Sequence, residues 1–172
     1  KGAVFIWTLS NNIWSETQKL QPDFINPSIS NGESFGREVR VYKNTILVGS
    51  NSSTVSPERI FIFNKIGGAW QQVVNNNNLH LNLTFSSSSY AFGNKLSIYE
   101  DYIAVSASQR TIETEDQSTA SDSGQGIVYI YTLENNNTYS LKQRITDEKS
   151  KDNDMFGLFT SLQHGSVSIC PS

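Results

Sequence analysis

The sequence is poor in several residue types, and each shortage narrows what the chain can be. Its one cysteine, Cys170, excludes any disulfide closed within the chain. With 4 prolines and 11 glycines there is no collagen-like or proline-rich segment. The 2 histidines, His80 and His164, are too few and too far apart in sequence to suggest a metal cluster. Charged residues reach only 17% and the net charge is -3, which argues against nucleic acid or an anionic membrane as the main partner. No apolar run approaches the roughly 18–20 residues that a membrane-spanning helix needs, so membrane insertion is not expected. No glycine-rich phosphate loop and no Gly-x-Ser-x-Gly elbow occurs. The only methionine is Met155 and the sequence begins at Lys1, as expected of a processed product or a segment of a longer chain.

Asn, Ser and Thr take the place of the missing charges, and they suit turns and strand edges better than helices. Between them stand short runs of β-branched and aromatic residues. Phe35-Gly36 opens one such unit, with Val39 and Val41 alternating with polar residues, a turn at Lys43-Asn44-Thr45, and the apolar strand Ile46-Leu47-Val48. Phe92-Gly93 opens a second unit that ends in Ile103-Ala104-Val105, and Phe156-Gly157 opens a third that runs to Cys170. The units are joined by aromatic strand pairs. Gly2–Leu9 turns at Ser10-Asn11-Asn12 into Ile13–Leu20. Ile60–Phe63 turns at Lys65-Ile66-Gly67-Gly68 into Ala69–Val74, and Ile127–Leu133 is followed by Tyr139–Ile145. Leu79–Phe85 alternates as a further strand would.

The landmarks keep a common period. Phe5 to Phe61 and Trp14 to Trp70 are each 56 residues, Phe35 to Phe92 is 57, and Phe92 to Phe156 is 64. A near-constant period of four short strands, with no amphipathic helix, indicates an all-β, β-propeller-like array of four-stranded antiparallel blades. One repeat array fills 1–172: a half blade at 1–20, blades at 35–74 and 92–145, and a half blade at 156–170.

The Phe-Gly opening, the Ile-Leu-Val-Gly-Ser strand at residues 46–50 and the Gly-Ala-Val-Phe-Ile-Trp strand at residues 2–7 resemble the FG-GAP repeat, which builds the β-propeller of integrin α-chains and of many secreted proteins. The repeat-motif residues carrying the likeness are Phe35, Gly36, Phe92, Gly93, Phe156 and Gly157. The copies are loose, ending in Val48-Gly49-Ser50 and Val105-Ser106-Ala107 rather than Gly-Ala-Pro. The resemblance implies a secreted or extracellular protein with a structural or adhesive role. Calcium-binding members carry an Asp-x-Asp-x-Asp-Gly loop between the hairpin strands. The turns at Lys43-Asn44-Thr45, Glu100-Asp101 and Gln163-His164-Gly165 lack that ligand set, so calcium is not expected there.

Other clusters are weighed against plainer roles. Asp147, Glu148, Asp152 and Asp154 precede Phe156, but interleaved Lys149 and Lys151 make a solvated loop the better reading. Glu113, Glu115, Asp116 and Asp122 read the same way. Trp7, Trp14, Trp70, Tyr129, Tyr131 and Tyr139 could form a sugar-stacking platform, but their places in the repeat favour core or inter-blade packing. Three sequons, at Asn51, Asn82 and Asn136, are candidates for N-linked glycans. Cys170 is either a small strand residue or an intermolecular contact. No catalytic residue, metal or cofactor is assigned.

The functional expectation is an extracellular structural or adhesion protein. The half blade at each end leaves strand edges and an apolar face open, so head-to-tail self-association by blade complementation is expected, into a filament in preference to a closed ring, unless neighbouring repeats of a longer chain supply the cover. The alternatives are a carbohydrate- or protein-binding module and, less favoured, a glycan-active enzyme with carboxylates across a cleft.

Overall fold

The computed structural model describes residues 2–22, 34–50, 59–73, 80–81, 92–109, 124–134, 138–151 and 153–170. Strand content is 66% and no helix occurs among the described residues, so the all-β expectation holds. The strands are β1 (Val4–Ser10), β2 (Ile13–Leu20), β3 (Glu38–Tyr42), β4 (Thr45–Ser50), β5 (Arg59–Ile66), β6 (Ala69–Gln72), β7 (His80–Leu81), β8 (Phe92–Tyr99), β9 (Tyr102–Ala107), β10 (Ile127–Leu133), β11 (Tyr139–Ile145), β12 (Phe159–Gln163) and β13 (Ser166–Cys170).

They form four antiparallel units. β1–β2 is a two-stranded hairpin, β3-β4-β5-β6 and β8-β9-β10-β11 are four-strand meanders, and β12–β13 is a second hairpin. Short β7 adds to β5 through Ile60–Leu81 and Phe61–His80, so the expected strand over Leu79–Phe85 is described only at these two residues. The described residues form no closed barrel or propeller.

The units are layered, and each interface is an apolar cluster. Val4 and Leu20 of the first hairpin meet Ile46, Val48, Phe61 and Phe63 of the first sheet. Leu47, Ile60 and Ile62 on that sheet's other face meet Leu96, Ile98, Ile103, Val105, Tyr129 and Tyr131 of the second. Ala104, Val128 and Ile130 then meet Leu162, Val167 and Ile169 of the last hairpin. Successive residues of a strand point to opposite faces, and here both faces are covered. That is why the middle strands read as unbroken apolar runs rather than as alternation. The face toward the first hairpin is called here the rear face, and the face toward the last hairpin the front face.

Turn chemistry sets the hairpins. Asn11-Asn12 and Gly67-Gly68 both place two residues at positive φ, as tight two-residue turns between right-twisted strands require. Lys43, Glu100 and His164, at φ 50, 53 and 47, occupy the same first turn position in three successive units. Two expected turns are shorter than the sequence suggested. Thr45 belongs to β4, and Lys65 and Ile66 continue β5, because the Gly67-Gly68 pair alone reverses the chain.

Candidate functional site

Three repeat-motif positions meet at the layer interfaces. Phe35 is 5% exposed and stands edge-on to Phe61 with ring centroids 5.2 Å apart. Phe92 makes the same T-shaped contact with Tyr129 at 5.8 Å. Pairing registers make Phe61 and Tyr129 equivalent, since each lies one residue beyond the strand position opposite Gly49 or Ser106. In both whole sheets the Phe of the motif therefore packs on the third strand. Gly36, Gly93 and Gly157 all have positive φ, at 95, 76 and 86, a conformation that favours glycine.

Glycines that face these motifs are functional in the architectural sense, and composition alone did not single them out. A side chain on Gly2 would collide with the Phe35 carbonyl, and one on Gly126 with the Phe156 backbone. A Cβ on Gly49 would lie 2.7 Å from the Gly93 carbonyl oxygen, and one on Gly157 would lie 2.6 Å from Val128 Cγ2. Each Phe-Gly segment thus lies directly against the preceding layer, where backbone approaches backbone with no room for a methyl group. The signal that could have found this is the repeat register: Gly2 and Gly126 each stand two residues before a strand valine.

The two end hairpins differ from the middle sheets. Val4 and Ile6 point forward into the core, but Phe5, Trp7 and Leu9 point to the rear, where they are 51%, 54% and 49% exposed. Trp14, directly opposite Leu9, joins them at 63%. The expectation of core or inter-blade packing for Trp7 and Trp14 is not met among the described residues: no described layer lies behind β1–β2 to bury them. Trp70 packs partly against the first interface, and Tyr129 and Tyr131 are buried. Lys19 Nζ sits 5.5 Å from the Phe5 ring centroid, which draws a positive charge onto this rear face. Gln18 anchors the hairpin from its other side, donating to the Trp70 carbonyl at 2.7 Å and accepting from the Trp70 amide at 2.8 Å.

The last hairpin presents the reverse arrangement. Leu162, Val167 and Ile169 point back into the core, and the front face carries exposed Phe159, Ser161, Ser168 and Cys170. Phe159 is 58% exposed, with Lys95 Nζ 5.9 Å from its ring centroid. Cys170 is a free, exposed thiol. Among the described residues β1 pairs only with β2 and β13 only with β12, so each hairpin keeps an unpaired edge.

The charged loop before Phe156 is used locally. Asp147 Oδ1 accepts from the Lys149 amide at 2.9 Å and Asp154 Oδ2 from the Lys151 amide at 2.7 Å. Among the described residues no group of three His, Cys, Asp or Glu could hold a metal. Burial raises the phenol pKa of Tyr131 well above its ordinary value, with Tyr129 adding to the effect. Burial, aided by Asp101, raises Tyr139 as well. Both shifts keep a neutral hydroxyl, the opposite of an activated base. Tyr42, Tyr99 and His164 form a file across three layers, with ring centroids 5.3 and 5.2 Å apart and a 3.0 Å hydrogen bond between the Tyr99 hydroxyl and His164 Nδ1. Asn51, Asn82 and Asn136 lie outside the described residues, as do Glu113, Glu115, Asp116 and Asp122.

No helix among the described residues is long and apolar enough to cross a membrane. No protein-family model matches the chain, and no match is found among curated proteins.

Proposed function

We propose that the chain is an extracellular structural or adhesion protein, built of propeller-like blades of the FG-GAP type, that associates with itself head to tail. The observation that supports this most is the pair of end hairpins. One matches the second half of a four-stranded sheet and the other the first half, and among the described residues each leaves a strand edge open. Large apolar side chains exposed together on one face are unusual on a soluble surface and mark interaction sites. Such edges also template pairing with another strand. The joint is heterologous, so it closes a ring where the rotation permits and grows a filament otherwise. Glycans at Asn51, Asn82 and Asn136 belong to this reading, and neither a cofactor nor a catalytic group does.

Sedimentation velocity over a wide concentration range is the test. The reading expects species that grow with concentration, which electron microscopy would then sort into rings or filaments. A monomer at every concentration would remove it. Enzymatic removal of N-glycans from natively secreted material should lower its mass, and an unchanged mass would remove the glycoprotein part.

A second reading is favoured by one observation. Phe5, Trp7 and Trp14 present aromatic surface on a single face, as a carbohydrate-binding platform does. Binding to a glycan array that is lost in Trp7→Ala, with no self-association, would replace assembly by this reading.

A further inference from the structure

Resting on that reading of head-to-tail association, we infer that β13 of one copy pairs with β1 of a second copy in a single defined register, with Cys170 opposite Val4. The template is present twice within the chain. In the first sheet β4 pairs with β5 with Gly49 opposite Ile60, Val48 opposite Phe61, Ile46 opposite Phe63 and Thr45 opposite Asn64. In the second, β9 pairs with β10 with Ser106 opposite Val128, Val105 opposite Tyr129 and Tyr102 opposite Thr132. The hairpins supply the same two strand types separately. Phe156 precedes Ser166 by the same interval that separates Phe35 from Thr45 and Phe92 from Tyr102, which makes β13 the counterpart of β4 and β9. Trp14 is opposite Leu9 as Trp70 is opposite Lys65, which makes β1 the counterpart of β5. The interruption between Ile6 and Trp7 in β1 recurs between Ile130 and Tyr131 in β10, at the equivalent place. Transferring the register puts Cys170 opposite Val4, Ile169 opposite Phe5, Val167 opposite Trp7 and Ser166 opposite Thr8.

Three independent contacts are completed by that join. The motif phenylalanine packs on a ring of the third strand in both whole sheets, through Phe35–Phe61 and Phe92–Tyr129. Phe156 meets no such ring among the described residues, and the position equivalent to Phe61 in β1 is half-exposed Phe5. The join brings Phe156 to Phe5. Second, Val167, Ile169 and Leu162 point to the rear of their hairpin, as Phe5 and Trp7 do in theirs, so the apolar residues of both halves merge into one rear face. Third, Ser106 and Val128 both border Gly157 of the following layer, and Val4 already borders Gly36, at 3.5 Å from a built Cβ. Cys170 of the second copy would take the place beside Val4 that Ser106 holds beside Val128. Val41, 60% exposed on the rear of β3, lies where the first hairpin alone does not reach and the second copy's β12 would.

Disulfide trapping tests the register. Directly opposed residues of an antiparallel pair have Cα atoms about 4.5–5.5 Å apart, inside the range a disulfide spans. Under mild oxidation Val4→Cys should give a ladder of dimers, trimers and higher species, with peptide mapping placing the bridge between positions 4 and 170. The unaltered chain, with one thiol, can go no further than a dimer. Phe5→Cys, whose side chain leaves the opposite face, should give no bridge to Cys170. Because Val4 is buried, a second variant guards against misfolding: Thr8→Cys with Ser166→Cys in a Cys170→Ser background joins two exposed positions and should give the same ladder. A bridge found only within monomers would overturn the second copy as the occupant. An unaltered chain that associates with concentration, while neither variant cross-links, would overturn the register and leave the assembly standing. A chain that never associates removes both.

Discussion

β5 and β1 are the same strand in two settings. Each runs from an aliphatic residue through Phe-Ile to a second aromatic, and each turns through a pair of positive-φ residues into a strand with tryptophan at the matching position. In β5 Phe61 and Phe63 are buried, at 0% and 3% exposure, whereas in β1 their counterparts Phe5 and Trp7 are half exposed. The sequence of the strand does not decide the difference. What decides it is whether a layer stands behind and a strand stands beside. Burial in a layered repeat is a property of neighbours, so β1, with no described layer behind it, keeps its apolar residues exposed.

Substitutions can sharpen that contrast, and the largest effect should come from the buried member. Phe61→Ala should destabilise the fold by about 3–5 kcal/mol through lost burial and the cavity it leaves, read as a drop in the urea midpoint. A loss below about 1 kcal/mol would mean that the first interface is not a packed core. Gly126→Ala should rank next, at about 2 kcal/mol or more, because φ is 93 and the added methyl group meets the Phe156 backbone. Gly165→Ala also has positive φ but meets nothing within 4 Å, so its cost should stay near 1–2 kcal/mol, the strain alone. Equal losses at the two glycines would refute the backbone-docking role given to Gly126.

Tyr131 offers a smaller effect of the opposite sign. Its hydroxyl is buried with no hydrogen-bond partner among the described residues, and an unsatisfied buried polar group costs about 1–3 kcal/mol. Tyr131→Phe should therefore be neutral or stabilising by about 1 kcal/mol. Its pKa is raised in the folded state, so the neutral phenol's contribution is intact below about pH 10, the unfolded value, and is lost as pH rises above it. Thermal melts of Tyr131→Phe should lose less stability between neutral and strongly alkaline pH than melts of the unaltered chain. Parallel curves would mean that Tyr131 is not the group responsible. The smallest effect is expected at the exposed face. Phe5→Ala in dilute solution should change stability by no more than about 0.5 kcal/mol, while weakening association at high concentration. A chelator should leave the melting temperature in place, and a large drop would reveal a calcium site in the turns or outside the described residues.

The repeat was legible because identical landmarks recur at one spacing, and Phe5 with Phe61 and Trp14 with Trp70 suffice to align the strands. Turn limits were less legible. Lys65 and Ile66 look like part of a polar reversal, yet Gly67-Gly68 supplies both left-handed positions and lets β5 continue. The exposure of Trp7 and Trp14 could not be read from local pattern, since an aromatic in a strand is the same letter whether or not another sheet covers it. The roles of Gly2, Gly49 and Gly126 were hidden for a related reason: the atoms that exclude a side chain belong to the next layer.

Amide hydrogen exchange at low and high protein concentration probes the unfinished edges most directly. β5 and β10, paired on both sides, should be protected equally at both concentrations. The amides of β1 and β13 should exchange quickly in dilute solution and become protected together as concentration rises. Protection of β1 and β13 that is the same at every concentration would mean that their edges are closed within one chain, and persistent fast exchange would mean that nothing closes them. Either result would contradict the account.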